Sequence, residues 1–411
     1  MDLQKMDQIL ADTAYVRTGG SEAELRCAQY LQDRCAELGL DANLEPFEVD
    51  MAVMKEAKLF IDGTEVTCKG YLGAGSGEVE ADVYYLRNAD PYSLKQCRNK
   101  IVMIDGYLGY WMYQDLLENG AVGFITYDGN ANYADKDIDQ RELRSYVSKG
   151  NKIPGVNINA KDAIAVIRDD AKRARIVLQQ EEYKGESHNV VLNMPGETEE
   201  FLVLSAHYDS TSLSTGAYDN MSGSIGLLGI AEYFTKKPHR YGLRFVWCGS
   251  EERGLLGSKA YAAAHEEELK KKAVLNINMD MIGCIMGRFD AYITAEDKLV
   301  HYIQYFAGEQ GFGIAAKEGL HSSDSTSFAD KGVPAISFAR HAPNNTATIH
   351  NSYDTLKVMK AAQLAEDIDF ISAFADRMAN AKLCPVAREI PEKMKEKIDI
   401  YMCRKREKEN K

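Results

Sequence analysis

The spacing of apolar positions divides the chain into three stretches. In residues 21–39, Leu25, Ala28, Leu31, Cys35 and Leu38 recur at helical spacing. Ser21 and Glu24 form a capping-box pattern and Gly39 supplies a stop, so the spacing predicts an amphipathic surface helix. From about residue 50 the rhythm changes. "AKLFIDGTEVTCKGYL" reads as a hairpin turning at Asp62-Gly63, and "KIVMIDG" as a short apolar strand. "YWMYQDLLENGAVGFITYD" reads as a helix, a stop at Gly120 and a strand, and "IPGVNINAKDAIAVIRDD" as a strand and a helix. From about residue 187 strand, loop and helix alternate. "EFLVLSAHYD", "YGLRFVWCGS", "AVLNINMD" and "VPAISFA" are strands; "NMSGSIGLLGIAEYF", "KAYAAAHEEELKKK", "KLVHYIQYFAGEQG" and "KAAQLAEDIDFISAFADRMANA" are helices. Such alternation predicts an α/β fold, a mainly parallel mixed sheet flanked by helices, carrying an inserted smaller β-rich domain. The predicted division is 1–48 with 186–390 as one domain, 50–184 as the insert, and 391–411 as a charged tail, a solvated helix or a frayed end.

Composition narrows the function classes. Hydrophobic residues make up 45% and charged residues 27% of the 411 residues, as in globular domains. The net charge of −13 argues against a phosphate-backbone partner. No apolar run has the roughly 18 or more residues of a membrane span. "MDLQKMDQILADTAY" lacks a basic stretch followed by an apolar core, so no signal peptide is predicted. The eight cysteines are scattered without a CxxC pair. Cys27 and Cys35 fall about 12 Å apart on one predicted helix, too far for a disulfide. Reduced thiols in a cytoplasmic location follow.

The chemistry lies where open α/β sheets bind ligands, outside the carboxyl ends of the strands. One strand runs into His207 and Asp209, the next into Glu251 and Glu252, a third into Asp280. Asp219 opens a helix in "GAYDNMSGS", and His350 follows the last strand by a loop. Singly, each has an ordinary account: a hydrogen-bonded histidine, a helix N-cap, two solvated acids. Collected at one end of one sheet, they form a set of N and O donors suited to Zn²⁺, with Co²⁺ or Mn²⁺ as substitutes. Five ligands exceed the need of one zinc with an open position. If one carboxylate bridges, they hold two metals, and a sixth acid is left as general base. Adjacent Glu251 and Glu252 then divide the labour: one holds metal while the other moves the proton.

The motifs "AHYDS", "GAYDNMSG", "SEERGLLGS", "NMDMIG" and "IHNSYDT" make segment 200–355 similar to the M28 family of co-catalytic zinc peptidases. "NKIVMIDG", "NGAVGFITYD" and "IPGVNIN" give the insert a resemblance to a protease-associated domain. The peptidase resemblance implies that His207 and Asp280 bind one zinc, Glu252 and His350 the other, and Asp219 bridges. It implies Glu251 as general base and Asp209 as acceptor of a hydrogen bond from His207. It also implies a cis Asp219–Asn220 bond. Many relatives carry Tyr just before the last histidine, where this chain has Ile349; Tyr353 is nearby in sequence, and Ser250 stands where relatives often have Gly, an exchange expected to be harmless.

The leading expectation is an aminopeptidase acting on peptides, with neither nucleic acid nor membrane as partner. A carboxypeptidase or dipeptidase on the same scaffold is the alternative; it needs a cation for the substrate carboxylate, for which Arg340 is the candidate. His321 and Asp324, in "HSSDSTSF", are candidates for lining the substrate pocket. A non-catalytic relative or a one-zinc glutaminyl cyclase fits the complete ligand set less well.

Overall fold

The protein is described from a computed structural model covering residues 1–129, 132 and 137–407, so residues 408–411 of the tail lie outside the described residues. The chain forms two compact units, Met1–Glu48 with Glu186–Lys411, and Val49–Gly185.

The sheet of the first unit runs in the order Ala315–Glu318, Arg288–Thr294, Ala335–His341, Ala273–Met279, Phe201–His207, Gly242–Cys248, ending on the last residues of Arg173–Met194. Phe201–His207 is parallel to both its neighbours, and Ala273–Met279 is parallel to Ala335–His341. Arg288–Thr294 is antiparallel to Ala335–His341, and Gly242–Cys248 is antiparallel to Arg173–Met194. The mainly parallel mixed sheet is the predicted one, and its central strands show why the sequence gives apolar runs there. All seven residues of Phe201–His207 are buried. Leu202, Leu204 and Ala206 share a core with Ile225 and Leu228 of the helix Ser222–Phe234, while Phe201 and Val203 share another with Tyr261 and Leu269. Helices therefore cover both faces, which removes any need for polar alternation.

The predicted helix at 21–39 is Glu22–Glu37, with the Ser21 side chain accepting from the Glu24 amide. The stretch "KAYAAAHEEELKKK" is not one helix but two, Leu256–Ala264 and Glu266–Lys272, divided at His265. Three acids open the second and three lysines close it, matching the helix dipole at both ends. The charge-rich segment after Pro391 also differs from expectation. It forms the helix Glu392–Tyr401, whose Met394 and Ile398 are buried in a small core with Ala329, Ala335 and Ile390. Arg404 pairs with Asp330 and Lys393 reaches Glu318. The charges mark its outer face, and its two buried apolar residues dock it.

In the second unit, Gly77–Leu86, Lys100–Ile104, Gly123–Asp128 and Gly155–Asn159 lie side by side in parallel. Cys68–Gly70 is antiparallel at one edge, and the first residues of Arg173–Met194 are antiparallel at the other. The hairpin turns at Asp62-Gly63, both at positive φ (46° and 83°) as a type I′ turn requires. Helices such as Tyr110–Glu118 and Ala160–Arg168 accompany these strands, because parallel neighbours need crossovers. The unit is thus richer in strand than in helix, with helices as the crossovers between its parallel strands. No helix among the described residues is long and apolar enough to cross a membrane.

Candidate metal centre

All seven predicted site residues belong to the unit formed by Met1–Glu48 and Glu186–Lys411. His207 ends the strand Phe201–His207; Glu251 and Glu252 follow Gly242–Cys248 by a short turn; Asp280 directly follows Ala273–Met279. Asp219 sits in a kinked turn, with non-helical φ/ψ at Asp219 and Asn220, just before the helix Ser222–Phe234. The Asp219–Asn220 peptide bond is cis, as the resemblance implies. His350 lies in the loop beyond Ala335–His341, at φ 60°.

These side chains meet. Asp219 Oδ1 is 3.1 Å from His207 Nε2, and Asp219 Oδ2 is 3.1 Å from His350 Nε2. His350 Nε2 is also 3.1 Å from Glu252 Oε2. On the other side, His207 Nε2 lies 3.6 Å from Asp280 Oδ1 and 3.9 Å from Glu251 Oε2. Among the described residues the ligand-type clusters are two, His207 with Glu251 and Asp280, and Asp219 with Glu252 and His350. Asp219 offers one oxygen to each side.

The fit to a metal can be tested on these separations. Two ligand atoms each about 2.0–2.1 Å from one tetrahedral zinc stand about 3.3 Å apart. The separations around His207 and His350 bracket that value. Asp280 Oδ1 is buried and makes no hydrogen bond among the described residues, which leaves it a donor atom in need of a cation. The donor set therefore fits divalent metal. Glu251 lies close enough to His207 and Asp280 to ligate or to act as a base.

Electrostatics agree with a site built for added positive charge. Burial pushes Glu251 well above the usual carboxyl range, with His207 opposing, and pushes Glu252 up to about 7, with His350 opposing. Burial would raise Asp219 too, but hydrogen bonding to His207 and His350 holds it below its ordinary value. Burial would lower His207, yet Glu251, Asp209, Asp219 and Asp280 outweigh it and raise the imidazole well above 6.5. The Glu252 carboxylate raises His350, which is half-exposed. The imidazoles hold protons where divalent cations would satisfy the same carboxylates.

Further buried groups hold the ligands' backbone. Asp209 lies 3.3 Å from His207 Nδ1, without the geometry of a hydrogen bond, and its carboxylate accepts from the amides of Glu251 at 2.9 Å and Glu252 at 3.2 Å. Asp354 accepts from the amides of Tyr218 at 2.9 Å and Asp219 at 3.1 Å. Asn220 donates to Met279 O and accepts from Gly223 N and Met281 N, tying the Asp219 turn to the Asp280 loop. Arg17, fully buried, donates to the carbonyls of Thr13, Tyr208, Thr215 and Gly216. Sequence reasoning missed these roles. Asp354 lies inside "IHNSYDT" and Asn220 inside "GAYDNMSG", so their motifs were visible; Arg17 carried no signal.

The other candidates divide. Arg340 is committed to Asp367, donating from Nε at 3.1 and 2.9 Å, and gives Nη1 to Gly287 O. Asp367 is 0% exposed. The proposed receptor for a substrate carboxylate is therefore already neutralised. Asp324 is fully buried, its carboxyl raised by burial to about 6, and lines no open pocket. His321 stacks on Tyr292 at 5.0 Å between centroids, with Nδ1 3.9 Å from Asp280 Oδ2. Ile349 packs on the main core, and Tyr353 is half-exposed.

Comparison with known proteins gives a family match and similar folds. Residues 189–375 match the model of peptidase family M28. The chain is 25% identical over 411 residues to aminopeptidase YwaD of Bacillus subtilis, covering 95% of this chain and 87% of that one. Leucine aminopeptidase 2 of Trichophyton rubrum is 31% identical over 165 residues, covering 38% of this chain but only 31% of its own length. The fold matches an aminopeptidase from Aneurinibacillus sp. strain AM-1 with a TM-score of 0.76 at 22% identity, covering 94% and 96% of the two chains. It matches a zinc aminopeptidase from Bacillus subtilis with the same TM-score of 0.76 at 24% identity, covering 95% and 97%.

Proposed function

We infer that this chain, whose residues 189–375 match peptidase family M28, is a metallo-aminopeptidase that removes N-terminal residues from peptides at a two-zinc centre. The observation that carries the two-metal reading is Asp219, whose two oxygens face two different imidazoles at 3.1 Å each. In this reading His207 and Asp280 would hold one ion and Glu252 and His350 the other, with Asp219 shared between them. Co²⁺ or Mn²⁺ would substitute, since all donors are N or O. A metal pair, when bound, makes water nucleophilic near neutral pH and polarises the scissile carbonyl.

The chain's own residues do the rest. Glu251 takes one proton of the attacking water and returns it to the departing amine nitrogen, so that peptide and water become a carboxylic acid and an amine. Asp209 fixes the backbone of Glu251 and Glu252. The acids around the centre attract a free α-amine, and the pairing of Arg340 with Asp367 removes the cation a carboxypeptidase would use. All eight cysteines are unpaired thiols, which supports a reducing, cytoplasmic location. We take 50–184 as a protease-associated-like insert, a reading supported by its sequence resemblance.

A panel of peptides with free, acetylated or C-terminally amidated ends tests the reading. Acetylation should abolish cleavage and amidation should leave it intact. The opposite dependence would identify a carboxypeptidase.

A further inference from the structure

Glu24 lies in the first turn of the helix Glu22–Glu37 and is 1% exposed. Its place three residues after Ser21 is that of a capping-box glutamate, which serves only its own helix. Its carboxylate instead spans two distant parts of the chain. Oε2 accepts from the Gly20 amide at 2.6 Å and from the Ser187 hydroxyl at 2.8 Å. Oε1 accepts from the Ser250 amide at 2.7 Å and the Ser250 hydroxyl at 3.1 Å, across 226 residues of sequence. Four donors converge on one buried carboxylate.

Ser250 immediately precedes Glu251. Its φ of 51° lies in the left-handed region that non-glycine residues rarely adopt. Its hydroxyl also meets that of Ser187 at 2.9 Å. The packing around it is close: a methyl group on Gly19 would stand 2.4 Å from Ser250 Oγ, and one on Gly249 would stand 3.0 Å from Glu24 Oε1. Beyond Ser250, the next two amides end on Asp209. The backbone of 250–252 is thus held from two directions, by Asp209 beside His207 and by Glu24 from the N-terminal helix. A serine where relatives often have glycine is then no neutral exchange, because its hydroxyl is a donor to Glu24.

We propose that Glu24 is a positioning residue for catalysis, setting the place of Glu251 by gripping Ser250. The proposal rests on the reading of Glu251 as the base. It assigns Glu24 no contact with substrate and no proton to carry.

The test uses the zinc-loaded full chain. A base misplaced by about 1 Å costs up to about 10²-fold in rate. Glu24→Ala should therefore lower kcat about 10- to 100-fold, with KM and zinc per chain unchanged. Glu24→Asp, one methylene shorter with the same acid group, should lose about 10-fold and serves if the alanine variant does not fold. Glu24→Gln keeps one acceptor oxygen for Ser250 and should lose less than either. In a Glu251→Gln background, Glu24→Ala should cost nothing further, because the base whose place it sets is gone. An undiminished loss in that background would make Glu24 a structural acid only and overturn the proposal. Wild-type turnover surviving Glu251→Gln would instead defeat the base assignment. Crystal structures of wild type and the Glu24 variant test the grip without any activity: Ser250 and Glu251 should shift by more than the ~0.5 Å that catalytic groups tolerate. An unmoved Glu251 overturns the proposal whatever the rates.

Discussion

Replacing Glu251 with glutamine separates the two roles its position allows. The side chain is 11% exposed, and glutamine keeps its shape, so packing should survive. Its amide is held by Asp209 through the backbone and does not depend on the side chain. What disappears is one proton acceptor, 3.9 Å from His207 Nε2. Loss of a general base typically costs about 10²–10⁴-fold in turnover. At about 1.36 kcal/mol per tenfold this is about 2.7–5.4 kcal/mol of transition-state stabilisation. Because no ligand is lost, zinc per chain should stay at the wild-type value and KM for a free-amine aminoacyl-p-nitroanilide should hardly change. Steady-state kinetics and elemental analysis of the same sample supply both readings. If the variant loses an equivalent of zinc, Glu251 is a ligand beside His207 and Asp280 and the division of labour within the glutamate pair is wrong. If it keeps wild-type kcat, another group is the base.

Asp219→Ala should lose both metals together, whereas His207→Ala should weaken mainly one; zinc titration of each variant distinguishes them, and an Asp219→Ala protein with both ions in place would remove the bridging role. The metal-free protein should lose stability as pH rises from about 4 to about 8. Burial raises Asp354 to about 6 and Glu24 to about 8, so the folded state keeps protons that the unfolded chain has released, while His207 and His350, also raised, lose their contribution on the same alkaline side. Asp219, lowered, opposes this trend only near and below pH 4. Melting temperatures with and without zinc should diverge as pH rises, since metal displaces these protons; a metal-free protein that grows more stable from pH 5 to 8 contradicts the electrostatic account. Arg340→Met should cost about 3–5 kcal/mol in denaturant unfolding by stranding the buried Asp367, without altering KM; a rise in KM limited to peptides with a free C-terminus would return Arg340 to the substrate site.

How much was readable depended on which physical signal each residue carried. The central strands were legible because burial on both faces makes them continuous apolar runs. Arg288–Thr294 was not, because Arg288 and Asp290 interrupt its pattern; Asp290 is buried and paired with Arg288. The ligands were legible as donors just past strand ends, in motifs with fixed neighbours. The groups that hold them were not. Glu24 matched a local capping pattern, which concealed its bonds to Ser250. Arg17 acts on carbonyls that only the folded chain brings near it. The tail was misjudged because charge outweighed Met394 and Ile398 in its composition, although two apolar residues four apart suffice to dock one face.

The most direct test of the central claim is anomalous diffraction at the zinc edge from crystals of the protein purified without added chelator. Two peaks should appear about 3.5–4 Å apart, the spacing of two-metal hydrolytic sites. One should lie against His207 and Asp280, the other against Glu252 and His350, with Asp219 touching both. A single peak, or two with Asp219 bound to only one, would contradict the account.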